Sequence, residues 1–190
     1  SSQGARVLLI EKNKRLGEKL RITGGGRCNI LNAEMDERIL LKKYGTSEHA
    51  LYTPFSIFGV KEAISFFTTR GMKLVVEHAK RAFPSTFNAT DVVTLFENDL
   101  QRYGVTILPN TAITEVTHVH NQITGVHSTH RSFTATSYIF ATGSVSHKET
   151  GSTGDGFKWL RLLGHTVKSP TPAIVPLVAK EKWIQDLSGV

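Results

Sequence analysis

The chain has 190 residues, 39% of them hydrophobic and 21% charged, with a formal net charge of +7. Its single cysteine, Cys28, excludes an internal disulfide and fits a reducing compartment. No apolar run approaches the ~20 residues a bilayer span needs, and no signal-peptide pattern opens the sequence, so a cytoplasmic protein is expected, with one large domain or a domain and part of another.

The positive charge does not read as a nucleic-acid footprint. The basic residues are scattered, and the aromatics do not interleave with them as on a stacking platform. The one dense group is Lys12, Lys14, Arg15, Lys19, Arg21 and Arg27. It surrounds a glycine run and suits a small anionic ligand.

In chain order, residues 6–11 form an apolar run without alternation, as in a strand of a parallel sheet. The run ends in Glu11, an acid placed to accept hydrogen bonds from a ribose hydroxyl pair. A surface glutamate closing a strand is the plain alternative. In a dinucleotide fold such a strand is the second, and its Gly-x-Gly-x-x-Gly turn lies about 20 residues before the acid. Residues 1–4 then read as the tail of the intervening helix, capped by Gly4. The sequence is therefore expected to be a fragment without its first strand. The edge at residues 7–10 would then invite self-association or a complementing chain.

The run Thr23-Gly24-Gly25-Gly26-Arg27-Cys28-Asn29 follows. Glycines allow positive φ and close approach of backbone N–H groups to a ligand. Thr23, Arg27 and Asn29 add hydroxyl, guanidinium and amide groups at its edge. The surface suits a phosphate or a polar ring, with a merely flexible loop as the alternative. Cys28 reads as a close-packing choice rather than a redox thiol.

Residues 33–43 read as a helix, 52–58 as an apolar aromatic stretch, and 60–70 as a helix closed by Gly71. A short strand at 73–77 and a loop at 78–85 come next. Thr90 is expected to cap a helix over 91–103, ended by Gly104. A parallel strand at 105–108 is followed by a hairpin, 112–120 with 123–127, and then a strand at 134–141. His118, His120, His127 and His130 invite a metal reading. No acidic or cysteine ligand joins them, and no metal is expected.

The last informative run is Ala141-Thr142-Gly143-Ser144 followed by Thr150-Gly151-Ser152-Thr153-Gly154-Asp155-Gly156. A strand ending in Ala-Thr-Gly permits backbone to approach a cofactor at the carboxyl edge of a sheet. The second run leads into a helix over 157–163, stopped by Gly164. Its N-terminus offers free N–H groups, and Asp155 either accepts from a sugar-like hydroxyl or simply caps the helix. Pro170, Pro172 and Pro176 mark a crossover.

Taken together, Val7-Leu8-Leu9-Ile10-Glu11-Lys12-Asn13, Thr23 to Asn29 and Thr150 to Gly156 resemble a bacterial family of FAD-dependent oxidoreductases. It includes aminoacetone oxidase-like and NAD(P)/FAD-dependent or bile-acid-pathway reductases. Arg81-Ala82-Phe83-Pro84, Gly164-His165-Thr166 and Pro172-Ala173-Ile174-Val175-Pro176-Leu177 support the resemblance. The family usually carries glycines where Ser144 and Lys80 stand here.

The resemblance implies an α/β, incomplete Rossmann-like FAD-binding domain over 1–172, with a small antiparallel β excursion. A truncated substrate domain would begin at 173–190. It implies that Glu11 holds the adenosine ribose with Lys12 beside it, and that Thr23, Gly24, Gly25, Gly26, Arg27 and Asn29 face the pyrophosphate and flavin. Ile113 would offer backbone to the adenine, Thr142 and Gly143 would approach the dinucleotide, and Asp155 would reach a cofactor hydroxyl. The expected activity is oxidation of a small amine or other small reduced substrate, with FAD as cofactor and NAD(P)H as a candidate electron donor. The alternatives are a catalytically silent binding module that keeps the fold and a nicotinamide-only dehydrogenase. No catalytic residue is assigned.

Overall fold

The computed structural model describes residues 4–120, 122–172 and 183. Its frame begins with β1 (Leu8–Ile10), which pairs in parallel with β5 (Thr106–Leu108), Leu8 opposite Thr106 and Ile10 opposite Leu108. Parallel pairing requires a long crossover. Here it contains α1 (Glu18–Ile22), β2 (Leu31–Asn32), α2 (Glu37–Lys42), α3 (Glu48–Ile57), α4 (Val60–Thr68), β3 (Leu74–Val76), β4 (Arg81–Pro84) and α5 (Ala89–Arg102). Within it, β2, β4 and β3 form an antiparallel sheet in that order. After β5 come β6 (Ile113–Val119), β7 (Gln122–Ser128) and β8 (Ser132–Phe133), a second antiparallel sheet, and then α6 (Asp155–Leu162). The α/β, Rossmann-like class with an antiparallel excursion holds.

Two apolar clusters hold the fold. Cys28, Phe67, Ala89 and Val92 are buried together, with Leu20, Ile30, Phe66, Met72, Leu74 and Leu95 packed around them. Val116, Val126 and Trp159 form the other, joined by Ile10, Ile113, Ile123, Phe133, Tyr138 and Phe140. The second cluster fastens β1, the hairpin and α6 to one another, and so sets the two chain segments that matter below side by side. No helix of the described residues is long and apolar enough to cross a membrane.

Several expectations are corrected. The helix predicted over 33–43 begins only at Glu37. The Asp36 carboxylate accepts from the backbone N–H groups of Arg38 and Ile39, while the side chains of Asn32 and Glu34 engage the preceding backbone. The cap of α5 is Asn88 rather than Thr90, its side chain accepting from the Thr90 N–H at 2.9 Å.

Residues 78–85 are not a loop. Arg81–Pro84 is the central strand of its sheet, entered through a tight turn in which Ala79 and Lys80 both have positive φ, 57° and 58°. The turn is held by Lys80 donating to the buried Glu34 and by Asn32 donating to the Ala79 carbonyl. The helix predicted to start at 157 begins instead at Asp155.

Residues 134–141 form no strand. A strand needs a partner for its N–H and C=O groups, and among the described residues the ladder beside β7 ends with β8 at Phe133. Tyr138 and Phe140 reach the second cluster, while Ile139 is 93% exposed. The domain expected from 173 onward lies outside the described residues, apart from Trp183.

Candidate functional site

At the carboxyl ends of β1 and β5 the backbones stay together beyond the strands. Glu11 donates its N–H to Leu108 and accepts at its carbonyl from Thr111, and the Asn13 carbonyl accepts from Asn110. This steadies a turn in which the Glu11 carboxylate folds back, Oε1 accepting from the Asn13 N–H at 2.8 Å. Its other oxygen, Oε2, has no hydrogen-bond partner among the described residues. A half-buried carboxylate with one oxygen tied down and the other open is an oriented acceptor.

Opposite it lies the loop that leads into α6. Lys12 Nζ donates to Thr153 Oγ1 at 2.8 Å and to Asp155 Oδ2 at 3.1 Å. The Thr153 hydroxyl also donates to Asp155 Oδ2, at 2.6 Å, and the Asn13 amide donates to the Thr150 carbonyl at 3.0 Å. The Asp155 carboxyl is held below its ordinary range, first by the Thr153 hydrogen bond and then by Lys12. Gly151 makes the contact close. Its φ is +91°, and a Cβ there would stand 2.8 Å from the Asn13 amide nitrogen.

Thr142 and Gly143 pack onto the same loop. A Cβ on Gly143 would meet Ser152 Oγ at 2.8 Å, one on Gly154 would meet Val145 at 2.7 Å, and one on Gly156 would collide with Thr142 Oγ1. These glycines are therefore required by contact between two segments of the chain, quite apart from any ligand. Ile113 lies in β6 opposite Ser128, its side chain in the second cluster.

The glycine run is a short 3₁₀ turn, Thr23–Gly26, in which Gly24 and Gly25 have φ of 58° and 65°. Cys28 donates back to the Thr23 carbonyl and is buried in the first cluster, where desolvation raises its thiol pKa. Asn29 is exposed, and its N–H lies 3.1 Å from where a Gly24 Cβ would stand.

Arg27 is engaged within the chain. It pairs with Glu77 Oε1 at 2.6 Å, and its guanidinium stacks over Phe83 and Phe87, 4.5 and 4.6 Å from the ring centroids. Among the described residues no group of three or more His, Cys, Asp or Glu could hold a metal. His127 already engages Thr117 and Ser132 through its two ring nitrogens.

The structure thus brings Glu11, Lys12 and Asp155 to one locus, with Thr142 and Gly143 against its loop. Arg27 is committed elsewhere. Sequence reasoning overlooked Asn13 and Thr153, the groups that join the two sides. The signals were a polar residue two after the acid and a hydroxyl inside the Gly-Ser-Thr-Gly-Asp run. Two surface grooves, of about 770 and 530 Å³, are lined by none of these residues.

The family model described as the HI0933-like protein Rossmann domain matches residues 1–179. The chain belongs to this family. It is 28% identical over 190 residues to the 3-dehydro-bile acid delta(4,6)-reductase of Clostridium scindens, covering 100% of the chain and 45% of that protein. It is 24% identical over 194 residues to the ribosomal RNA dihydrouridine synthase of Haemophilus influenzae, covering 98% of the chain and 47% of the relative. The corresponding protein of Escherichia coli is 24% identical over 186 residues, covering 97% and 45%. The chain thus spans just under half the length of these relatives.

As an HI0933-like Rossmann domain, the chain can be tested for fit to a dinucleotide. The open Oε2 of Glu11 matches a ribose hydroxyl donor. A Cβ built at Gly25 would meet nothing within 4 Å, so that face of the glycine run is open to a ligand. The residues fit the adenosine half of such a group. The Arg27 guanidinium is engaged by Glu77, Phe83 and Phe87 within the chain.

Proposed function

We infer that the chain is the nucleotide-binding part of an FAD-dependent oxidoreductase that reduces a carbon–carbon double bond conjugated to a carbonyl. The observation that carries the cofactor reading is the meeting of Glu11, Lys12 and Asp155 at the carboxyl ends of two parallel strands, the place where doubly wound sheets bind dinucleotides. The substrate class is supported by what the relatives' activities have in common. A 3-oxo bile acid unsaturated at positions 4 and 6 and a uracil ring each carry a C=C conjugated to a carbonyl. Reducing either adds one hydride and one proton across that bond. This reading takes precedence over oxidation of a small amine, which no observation favours.

In this reading Glu11 Oε2 accepts from the adenosine ribose, and Asp155 accepts from a hydroxyl further along the cofactor. The backbone around Gly25 and Gly26 lies near the phosphates. Held by these residues, a flavin would supply hydride chemistry, with NAD(P)H as the candidate electron donor. The chain's own residues bind and orient the cofactor; none is assigned to proton transfer. The protein works in the cytoplasm in this account. The outer edge of β1, where Val7 and Leu8 are 38% and 43% exposed, receives a further strand from the same protein or a partner.

The test is the intact protein incubated with FAD, NADPH and an α,β-unsaturated ketone, following loss of enone absorbance against NADPH oxidation. Matched consumption of both supports the proposal. Oxygen uptake with an amine and no enone reduction would overturn the substrate class. A colourless protein that cannot be reconstituted with FAD would leave a silent binding module in its place, and retention of NAD but not FAD would favour a nicotinamide-only dehydrogenase.

A further inference from the structure

The hydrogen bonds that join the loop at 150–155 to the end of β1 all come, among the described residues, from the side chains of Lys12 and Asn13. Among the described residues no backbone–backbone hydrogen bond links 11–13 to 150–155. The links are the Asn13 amide to the Thr150 carbonyl, and Lys12 Nζ to both Thr153 Oγ1 and Asp155 Oδ2. Lys12 and Asp155 are both largely covered, with 30% and 28% of their side-chain surface exposed. The Lys12 stem lies under Gly151, where a Cβ would stand 3.0 Å from its Cε. The pair therefore sits within a packed contact between the two segments.

The use of the Asp155 oxygens is also one-sided. Oδ2 takes the Lys12 ammonium and the Thr153 hydroxyl, while among the described residues Oδ1 has only Lys158, at 3.6 Å. Oδ1 is beyond hydrogen-bond reach of that lysine, so it keeps its acceptor capacity. Lys12 follows Glu11 directly in the chain. One cation thus joins the turn that orients the Glu11 carboxylate to the carboxylate of Asp155.

We propose that Lys12 is a positioning residue: it contacts no cofactor atom, but tethers the 150–155 loop so that Glu11 and Asp155 are held together as a two-carboxylate clamp for a hydroxyl-bearing nucleotide. This rests on the nucleotide reading given above. It changes the role of Lys12, which a resemblance alone sets beside the ribose. Two carboxylates drawn to one ligand gain from a shared cation that offsets their repulsion. The Asn13 amide shares the tether at Thr150, but Lys12 is the link that reaches Asp155 itself.

The test has two arms on the intact protein, with Lys12→Met, Lys12→Arg and Asp155→Asn. In the first, FAD affinity is read by flavin fluorescence. Lys12→Met is expected to weaken binding about tenfold and Lys12→Arg to recover it to within about twofold of the parent. Lys12→Met should add little in the Asp155→Asn background, because both act through one link. Unchanged or tighter binding in Lys12→Met, or full additivity, would overturn the proposal.

The second arm needs no flavin. Amide hydrogen exchange at residues 151–155 is expected to speed up in Lys12→Met and to stay at the parent rate in Lys12→Arg. Unchanged exchange in Lys12→Met would overturn the tether. A parent protein that never binds FAD would count against the flavin reading alone, with the second arm still deciding the tether.

Discussion

Gly151 and Gly164 give a matched comparison for the docking of the 150–155 loop. Both have strongly positive φ, +91° and +87°. An alanine forced into the left-handed region costs about 1–2 kcal/mol relative to glycine, and at Gly164 this is the whole expected effect, because a Cβ there would meet nothing within 4 Å. At Gly151 the new methyl would stand 2.8 Å from Asn13 Nδ2 and 3.0 Å from both Asn13 Oδ1 and Lys12 Cε. The Asn13 amide must move, and its 3.0 Å bond to the Thr150 carbonyl is lost, worth about 0.5–1.5 kcal/mol net. Gly151→Ala is therefore expected to cost about 1.5–3.5 kcal/mol and Gly164→Ala about 1–2 kcal/mol. Equilibrium urea unfolding with unchanged m-values measures both. In an Asn13→Ala background the excess at Gly151 should shrink toward the Gly164 value. Equal costs at the two glycines in the parent would refute the packing of this loop against the end of β1.

Other substitutions test neighbouring parts of the account. Arg27→Lys keeps a cation for Glu77 but loses the planar stack on Phe83 and Phe87; it should cost about 1 kcal/mol in urea unfolding and leave FAD affinity unchanged, since the guanidinium serves the fold. Ala79→Gly relieves a left-handed alanine at φ 57° and should raise stability by about 1 kcal/mol. The Asp155 carboxyl is lowered in the folded chain, so it adds stability that is fully present above the ordinary carboxylate pKa of about 4 and is lost as pH falls through the folded value. Asp155→Asn should therefore destabilise the protein at pH 7, with the difference from the parent closing progressively below about pH 4. A constant difference across that range would remove the ionised pair as its source.

Much of this fold is legible from patterning. The apolar run at 7–10 and its parallel partner at 106–108 carry no alternation, the hairpin at 113–128 alternates, and α5 shows its helical period and its glycine stop. The failures have physical causes. Neither Ala79 nor Lys80 is a residue type that favours a left-handed turn, and the turn is held by the buried Glu34 and by Asn32, more than forty residues earlier. Residues 134–141 have the composition of a strand, but a strand is made by its neighbour, and no ladder forms there among the described residues.

At the site, the acid, the lysine and the second acid could each be read one at a time. Their joining across 143 residues of sequence could not. Arg27 has partners that its sequence neighbours do not announce. It stands beside the glycines in sequence, yet β4 and the turn after it bring two phenyl rings under its guanidinium.

The most direct test of the account is FAD titration of the intact protein against its Glu11→Ala variant. Loss of the open Oε2 acceptor should weaken binding by about 1.5–3 kcal/mol, the value of hydrogen bonds to a charged group, with the folded state retained in urea unfolding. An FAD affinity equal to that of the parent would contradict the assignment of the end of β1 as the nucleotide site.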